Sequence, residues 1–367
     1  MRTADLSVVV ANYNHAALLP RALDAVLAQS VRPREVIVID DASDRDDSWA
    51  VATAYARRDP AVRLVRHDRN HGVCETFNEG LAAARGEFVI LAAADDYTLP
   101  GFFEKAVGEL ERHPHAGLCC GYDSFSHGPD GAVVPAPSGW CDVPTYFAPE
   151  DVARLARRNL AAHGTIARTA ALRAAGGYLA DLAWYGDWLA YLAVAFRHGL
   201  VHVPEPLAVR TLAMAGSFSA GALDRGRHVG VVGAIVDRLA SDAFADVAPL
   251  FRRYGNAAFL GTDLVRAAAR RPDRWTAPVI GLLNGLSPEQ YRELLDDPDP
   301  AVRELAGFFL GPFWRDAARE RASRAAEVVH LKNLLELARA AAPPPGVAGK
   351  LRWVAGRAVR RLRRLAG

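Results

Sequence analysis

Asp95 and Asp96 stand side by side in GEFVILAAADDYTLPG, residues 86–101, just after a short apolar run from Phe88 to Leu91. Such a run, bounded by Gly86 and a polar break, reads as a fully buried strand. In an open parallel sheet, ligands bind in the crevice beyond the carboxyl ends of the strands, so a carboxylate pair placed there faces the ligand side. Adjacent like charges repel and are eased by a cation or a hydrogen-bonding ligand. Mg2+ and Mn2+ take oxygen ligands, commonly one or two carboxylates together with substrate phosphates. The plainer alternative is a solvated Asp-Asp turn that caps the helix opened by Leu99 and Pro100. The fragment alone leaves both open.

Two more strand ends carry polar groups. LSVVVA, residues 6–11, runs into Asn12-Tyr13-Asn14, and EVIVI, residues 35–39, runs into Asp40-Asp41. In a parallel sheet these ends share one edge with Asp95 and Asp96, so the three groups can meet at one crevice. An aromatic ring and a carboxylate suit a nucleobase, offering a surface to stack on and an acceptor for a base N–H. The later Asp pair suits ribose hydroxyls and a metal on a diphosphate. No GxGxxG follows the first strand and no GxxxxGK[ST] occurs, which excludes the usual dinucleotide and P-loop readings. Without a glycine cradle the phosphates need another neutralising group, and a metal on Asp96 supplies it.

The elements that must position these residues follow a βα rhythm. Leu19, Leu23, Val26 and Leu27 recur at helical spacing, which predicts a helix over 15–29 with Asn14 as its cap. Pro33 breaks the chain before the second strand, and Ser43 and Asp44 open a helix to Arg58. A strand over 62–65 and a helix over 74–84 precede the Asp95-Asp96 strand. This alternation predicts a doubly wound, mostly parallel sheet. Past Pro114 the pattern becomes mixed: a strand over 116–122, a tight turn at Asp130-Gly131, a helix from Pro149, a short strand at Ile166-Ala167-Arg168, and a helix over 186–198. From Ala222 to about Ala342 the chain is helical in character, with prolines at 272, 278, 288 and 298 marking breaks. The expected divisions are 1–220, split into halves 1–113 and 114–220, then a helical extension over 221–342 and a Pro-led tail over 343–367.

Together, VVVANYNHAALLPRALDAVLAQS, EVIVIDDASD, RNHGVCETFNEGLAAARGEFVILAAADDYTLPG and GGYLADLAWYGDW resemble the family 2 inverting glycosyltransferases with the GT-A fold, over roughly residues 6–220. The resemblance implies an α/β, Rossmann-like domain that moves a sugar from a nucleotide-sugar donor to a hydroxyl of a saccharide or lipid-linked acceptor. Ala11, Tyr13 and Asp41 would line the base site, Asp95 would face the ribose, and Asp96 would hold Mg2+ or Mn2+ on the donor diphosphate. Asp187 falls where the family places its general base. An inverting displacement needs such a carboxylate to take the acceptor proton, and the start of a helix favours its ionised form; the alternative is that Asp187 caps that helix. Trp184, Tyr185 and Trp188 could stack on an acceptor sugar, or be buried as most aromatics are. His163 is a candidate on the acceptor side, set against a structural histidine. Three positions depart from the family pattern: Ala93 in place of the first acid of Asp-x-Asp-Asp, Gly186 in place of an acid before the base, and Leu212 in place of a histidine ligand. Ala93 and Gly186 favour a rival reading, a non-catalytic sugar-nucleotide-binding or scaffold protein. A sugar-nucleotide pyrophosphorylase is the other rival, and it would carry a glycine-rich basic loop where ANYNHAALLPR stands.

Composition fits this reading. The 367 residues are 51% hydrophobic and 23% charged, as in a chain with a sizeable core. The formal net charge of +2 hides Lys350, Arg352, Arg357, Arg360, Arg361, Arg363 and Arg364; without these the rest stands near −5, which argues against a general nucleic-acid binder. Cys74, Cys119, Cys120 and Cys141 show no CxxC spacing, so buried thiols in a reducing compartment are expected and no cysteine zinc site. No apolar run is long enough for a secretory signal or a membrane span. The expectation is a cytoplasmic protein involved in polysaccharide or glycolipid assembly. Leu351, Ala355, Ala358, Leu362 and Leu365 share one helical face opposite the cations, an interfacial pattern that would place 346–367 on an anionic membrane face; a docked surface helix or a disordered basic end fits as well.

Overall fold

Runs of valine and isoleucine without an interrupting charge are stable where both faces are covered, and the first strands lie in such a place. The structure is a computed structural model; it describes residues 2–128, 131–156, 160, 162–212, 224–270, 277–283 and 286–311. Strands β1 (Thr3–Asn12), β2 (Arg32–Asp40), β3 (Val62–Arg66) and β4 (Phe88–Ala93) pair in the order β3-β2-β1-β4, every pair parallel. Helices α1 (Leu19–Leu27), α2 (Ser48–Arg58) and α4 (Phe102–Arg112) pack their apolar stripes on Leu6, Val8, Val10, Val36 and Val38. Val9 points the other way, against α3 (Val73–Ala83). There a Cβ on Gly80 would come within 2.2 Å of a Val9 methyl, so the glycine sets how closely that helix approaches.

Beyond α4 the sheet changes character. The two-residue strand β5 (Tyr97–Thr98) lies just after Asp96. It is followed by β6 (Leu118–His127), β7 (Val134–Ala136), β8 (Thr145–Phe147), α5 (Pro149–Leu155), β9 (Thr165–Arg168), α6 (Thr169–Ala174), α7 (Gly186–His198), β10 (Leu200–Pro206) and β11 (Ala208–Leu212). β9 inserts antiparallel between β4 and β6, and the path continues β6-β10-β8. β11 runs parallel to β6 and antiparallel to β5, which ties the loop after β4 to the end of β6. The expected class is what the structure shows: a mixed α/β chain with a central, largely parallel sheet flanked by helices and a helical C-terminal region.

The chain divides into two compact units, Met1–Leu286 and a second beginning at Ser287. The first takes in α8 (Arg225–Leu239), α9 (Ala248–Tyr254), α10 (Thr262–Ala269) and α11 (Ala277–Leu283) as well as the sheet. In the second, α12 (Pro288–Arg292) starts at a capping box between Ser287 and Gln290, and residues 300–311 are helical. Among the described residues no helix is long and apolar enough to cross a membrane. The amphipathic tail expected over 346–367 lies outside the described residues, as does Asp130 of the expected turn.

Local readings fail at the loops. Pro33 does not break the chain before β2 but lies inside it, at a register shift between Ala4 and Ser7 that relieves the ladder of its missing N–H. Asn14 does not cap α1, which begins at Leu19; its side chain instead accepts from the N–H groups of Asp44 and Arg45. Ser43 does not open α2, which begins at Ser48, because its hydroxyl is bonded to Asp40.

Candidate active site

The β1, β2 and β4 ends are brought together by register. Ala11 lies opposite both Ile39 and Ala93, the Asp41 N–H donates to the Asn12 carbonyl at 2.8 Å, and the Ala94 N–H donates to the Ala11 carbonyl at 3.0 Å. Tyr13, Asp41, Asp95 and Asp96 therefore emerge on one edge of the sheet. The first two loops are stitched by side chains: Asn12 Nδ2 and Ser43 Oγ both donate to buried Asp40, at 2.9 and 2.5 Å, and the Asn14 N–H donates to Ser43 Oγ. Tyr13 is left half-buried, with the Arg45 guanidinium 5.8 Å from its ring. Asn14 and Ala42 take left-handed backbone, φ 56° and 60°, to make these turns.

Asp41 is buried and well partnered. Its carboxylate accepts from His67 Nδ1 at 2.6 Å, from the His71 N–H at 2.7 Å and from the Gly72 N–H at 2.9 Å. Gly72, at φ 89°, allows the chain to turn into α3 while presenting that N–H.

The Asp95-Asp96 loop is held from two sides. Arg21 of α1 donates to the Asp95 carbonyl at 2.7 Å and to Thr211 Oγ1 at 2.9 Å, with its guanidinium over the Tyr97 ring at 4.4 Å. Thr211 of β11 donates its N–H to Asp96 Oδ1 at 2.8 Å and its hydroxyl to the Asp95 carbonyl at 2.6 Å. Asp96 is pushed up to about 8, first by loss of hydration and then by the Asp95 carboxylate. Two crowded oxygen donors of which one resists ionisation fit a hard divalent cation, which would restore the charged form; Asp96 and Asp95 would hold it.

Asp187 stands in the first turn of α7, half-buried, its Oδ1 accepting the Trp188 N–H at 2.7 Å. The helix cap is Tyr185, so Asp187 is not the capping residue. Burial raises its carboxyl to about 6. The preceding position has no room for an acid: a Cβ on Gly186 would meet the Leu179 carbonyl oxygen at 2.9 Å. Ala183, at φ 45° and ψ −122°, is a strained non-glycine residue at the bend that delivers this turn. Arg210 of β11 bears electrostatically on both Asp96 and Asp187, lowering each, and pairs with Asp123 at 3.2 Å. Asp187 and Asp96 thus both lie within the electrostatic reach of Arg210.

His163 is buried beneath this region. It lines a small cavity with Asp96, Tyr97 and Thr98, and burial lowers its pKa to about 4, so it is neutral. Trp188 does not face an acceptor: it is 2% exposed and packs on Phe251 and Phe259. Trp184 stacks on His228, and Tyr185 sits edge-on to Phe259. Leu212 closes β11 opposite His127, and Ala93 closes β4 opposite Ala11. Arg21, Thr211 and Arg210 were not singled out by sequence; each is one polar residue on an ordinary helix or strand, and it takes the β5–β11 pairing to bring Thr211 and Arg210, and the bond from α1 to bring Arg21, to the Asp pair.

Residues 7–177 match the sequence model of the family described as Glycosyl transferase family 2. The matched segment is a little under half of the chain; it carries Ala11, Tyr13, Asp41, Asp95 and Asp96 and ends before Asp187. Among curated relatives, the uncharacterized glycosyltransferase EpsJ of Bacillus subtilis is 30% identical over 117 residues, 32% of this chain and 33% of the relative. The succinoglycan biosynthesis protein ExoO of Rhizobium meliloti is 36% identical over 124 residues, 34% of each. The chain spans about a third of the length of these relatives. Among solved structures, TarS 1-349 of S. aureus in complex with UDP-GlcNAc superposes with a TM-score of 0.59 at 16% identity, covering 86% of this chain and 92% of that one. That likeness is one of fold, and it extends past the matched segment.

Proposed function

We propose that the chain is a metal-dependent inverting glycosyltransferase that moves a hexosyl-type sugar from a nucleotide-sugar donor to a hydroxyl of a saccharide or lipid-linked acceptor, in polysaccharide or glycolipid assembly. The observation that carries this reading is the meeting of Tyr13, Asp41, Asp95 and Asp96 on one sheet edge, with the charge of Arg210 felt by both Asp96 and Asp187. The family match over 7–177, a relative named for succinoglycan biosynthesis and a fold neighbour that binds UDP-GlcNAc support it.

In this reading Tyr13 offers its ring to the base beside Ala11 and Asp41, and Asp41, held by His67 and two backbone N–H groups, keeps the shape and charge of that edge. Asp95 accepts from the ribose, while Asp96 and Asp95 hold Mg2+ or Mn2+. When bound, the metal supplies charge neutralisation at the departing diphosphate. Arg21 and Thr211 fix the loop so that little reorganisation is needed when donor binds. Asp187 Oδ2 receives the acceptor hydroxyl proton as that oxygen attacks the anomeric carbon from the face opposite the leaving group. A carboxyl that titrates near 6 is ionised at neutral pH and more basic than an ordinary aspartate, which suits the task. The test is hydrolysis and transfer across a panel of nucleotide sugars with Mn2+. Turnover by wild type that is lost in Asp187→Asn, with donor binding retained, supports the transferase. Equal donor binding with no turnover by either protein supports the non-catalytic reading.

A further inference from the structure

Among the described residues, one trio of side chains converges closely enough to hold an ion, and it is not the Asp pair. A nitrogen of His67, a nitrogen of His71 and a carboxylate oxygen of Glu79 all lie within 4.8 Å of one another. His67 follows β3, His71 lies in the loop entering α3, and Glu79 is on α3. The two imidazoles stack, with centroids 4.3 Å apart and 22° between their planes, so the half-buried His71 ring must turn for both in-plane lone pairs to meet one ion.

His67 is bonded through both ring nitrogens. Its Nδ1 is bonded to Asp41 at 2.6 Å, and its Nε2 meets Glu79 Oε2 at 2.8 Å. Both neighbours are carboxylates and can only accept, so without an ion the ring donates from both nitrogens and is cationic. Burial alone would oppose this, and the bonds to Asp41 and Glu79 outweigh it, raising the pKa. A divalent cation can replace the Nε2 proton. That needs Nε2 and Oε2 to part to roughly 3.3 Å, the separation of tetrahedral ligands about 2.0 Å from zinc. Glu79 is half-exposed and on the rim, so it can move by that amount. Asp41 would then accept the remaining Nδ1–H, the carboxylate–histidine–metal arrangement that orients a ligating imidazole.

We infer that His67, His71 and Glu79 form a second metal site, for a borderline cation of the Zn2+ class, with Asp41 as its orienting partner. Two imidazoles and one carboxylate are a Zn2+ donor set with an open fourth position, whereas the all-oxygen Asp95-Asp96 pair suits Mg2+ or Mn2+. The site stands whether or not the chain is a transferase.

The probe is Co2+ added to the nucleotide-free full chain, read by the visible absorption of tetrahedral cobalt and by binding stoichiometry. One strongly absorbing equivalent is expected for wild type and for Asp96→Asn. His71→Ala and Glu79→Gln, which alter side chains at the rim, should each weaken it about 100-fold or more. Circular dichroism and the melting temperature of each variant confirm that it is folded before titration. No tetrahedral band in wild type, or a band that survives in both rim variants, overturns the inference. So does a band that disappears in Asp96→Asn alone, since the ion would then belong to the Asp pair.

Discussion

Glu35 at the amino end of the central sheet and Asp96 and Asp187 at the carboxyl end are all shielded carboxylates, and their surroundings treat them in opposite ways. At the amino end, Glu35 accepts from Ser7 Oγ and from the Arg85 N–H, each at 2.8 Å, and from Arg63 at 2.5 Å. Burial pushes its pKa up, but the bonds from Ser7, Arg85 and Arg63 outweigh this and hold it below the ordinary value. At the carboxyl end, Asp96 and Asp187 are raised to about 8 and about 6, because burial there is met by few donors. Backbone strain divides the same way. Among the described residues Asn14, Ala42 and Ala183 have positive φ without being glycine; the first two follow β1 and β2, and the third precedes Asp187. A carboxylate with all its bonds made holds the fold together. One left wanting a proton, a cation or a substrate hydroxyl can do work.

Substitutions should separate the two ends. The largest effect is expected for Asp187→Asn, which should lower transfer about 10²–10⁴-fold while leaving the melting temperature and donor affinity near wild type. The wild-type rate should also fall as pH drops through about 6, because the base works ionised and protonation disables it; a pH profile of kcat/KM checks this. Next, Glu35→Gln should cost about 1–3 kcal/mol of stability with kcat unchanged, measured by urea unfolding alongside initial rates. Its sign is fixed by a depressed folded pKa: the stabilisation is present above the unfolded value near 4.3 and is lost as pH falls through the lower folded value. Gly186→Ala should destabilise by about 1–3 kcal/mol as the new Cβ displaces the Leu179 carbonyl, and should reduce activity by shifting the Asp187 turn. The smallest effect is expected for Ala42→Gly, a gain of at most about 1 kcal/mol in chemical unfolding, since relief of the left-handed turn is offset by the entropy glycine loses on folding. A comparable gain from a glycine substituted at the amino end would erase the contrast in strain.

The βα rhythm of the first half was legible because each strand is a continuous apolar run bounded by turn residues, and the strand ends carrying Tyr13, Asp41 and Asp96 followed from parallel pairing alone. What was not legible came from long-range contacts. β5 is two residues long and exists because β11 pairs with it, so neither composition nor period announces it. Arg21 and Thr211 reach the Asp pair from 74 and 116 positions away, along directions that a hydrophobic pattern does not encode. Capping types alone place the starts of α1 and α2 too early, because Asn14 and Ser43 are used to sew the two loops together instead. Trp188 was open to a surface role until α9 and the turn around Phe259 covered it.

The most direct test is calorimetric binding of a panel of nucleoside diphosphates, with and without Mn2+, to wild type, Asp96→Asn and Glu35→Gln. The carboxyl-edge account predicts that one or more nucleotides bind wild type and Glu35→Gln in a Mn2+-dependent manner, and that Asp96→Asn loses the Mn2+ dependence. Binding that ignores Mn2+ in all three proteins, or Asp96→Asn behaving as wild type does, would contradict it.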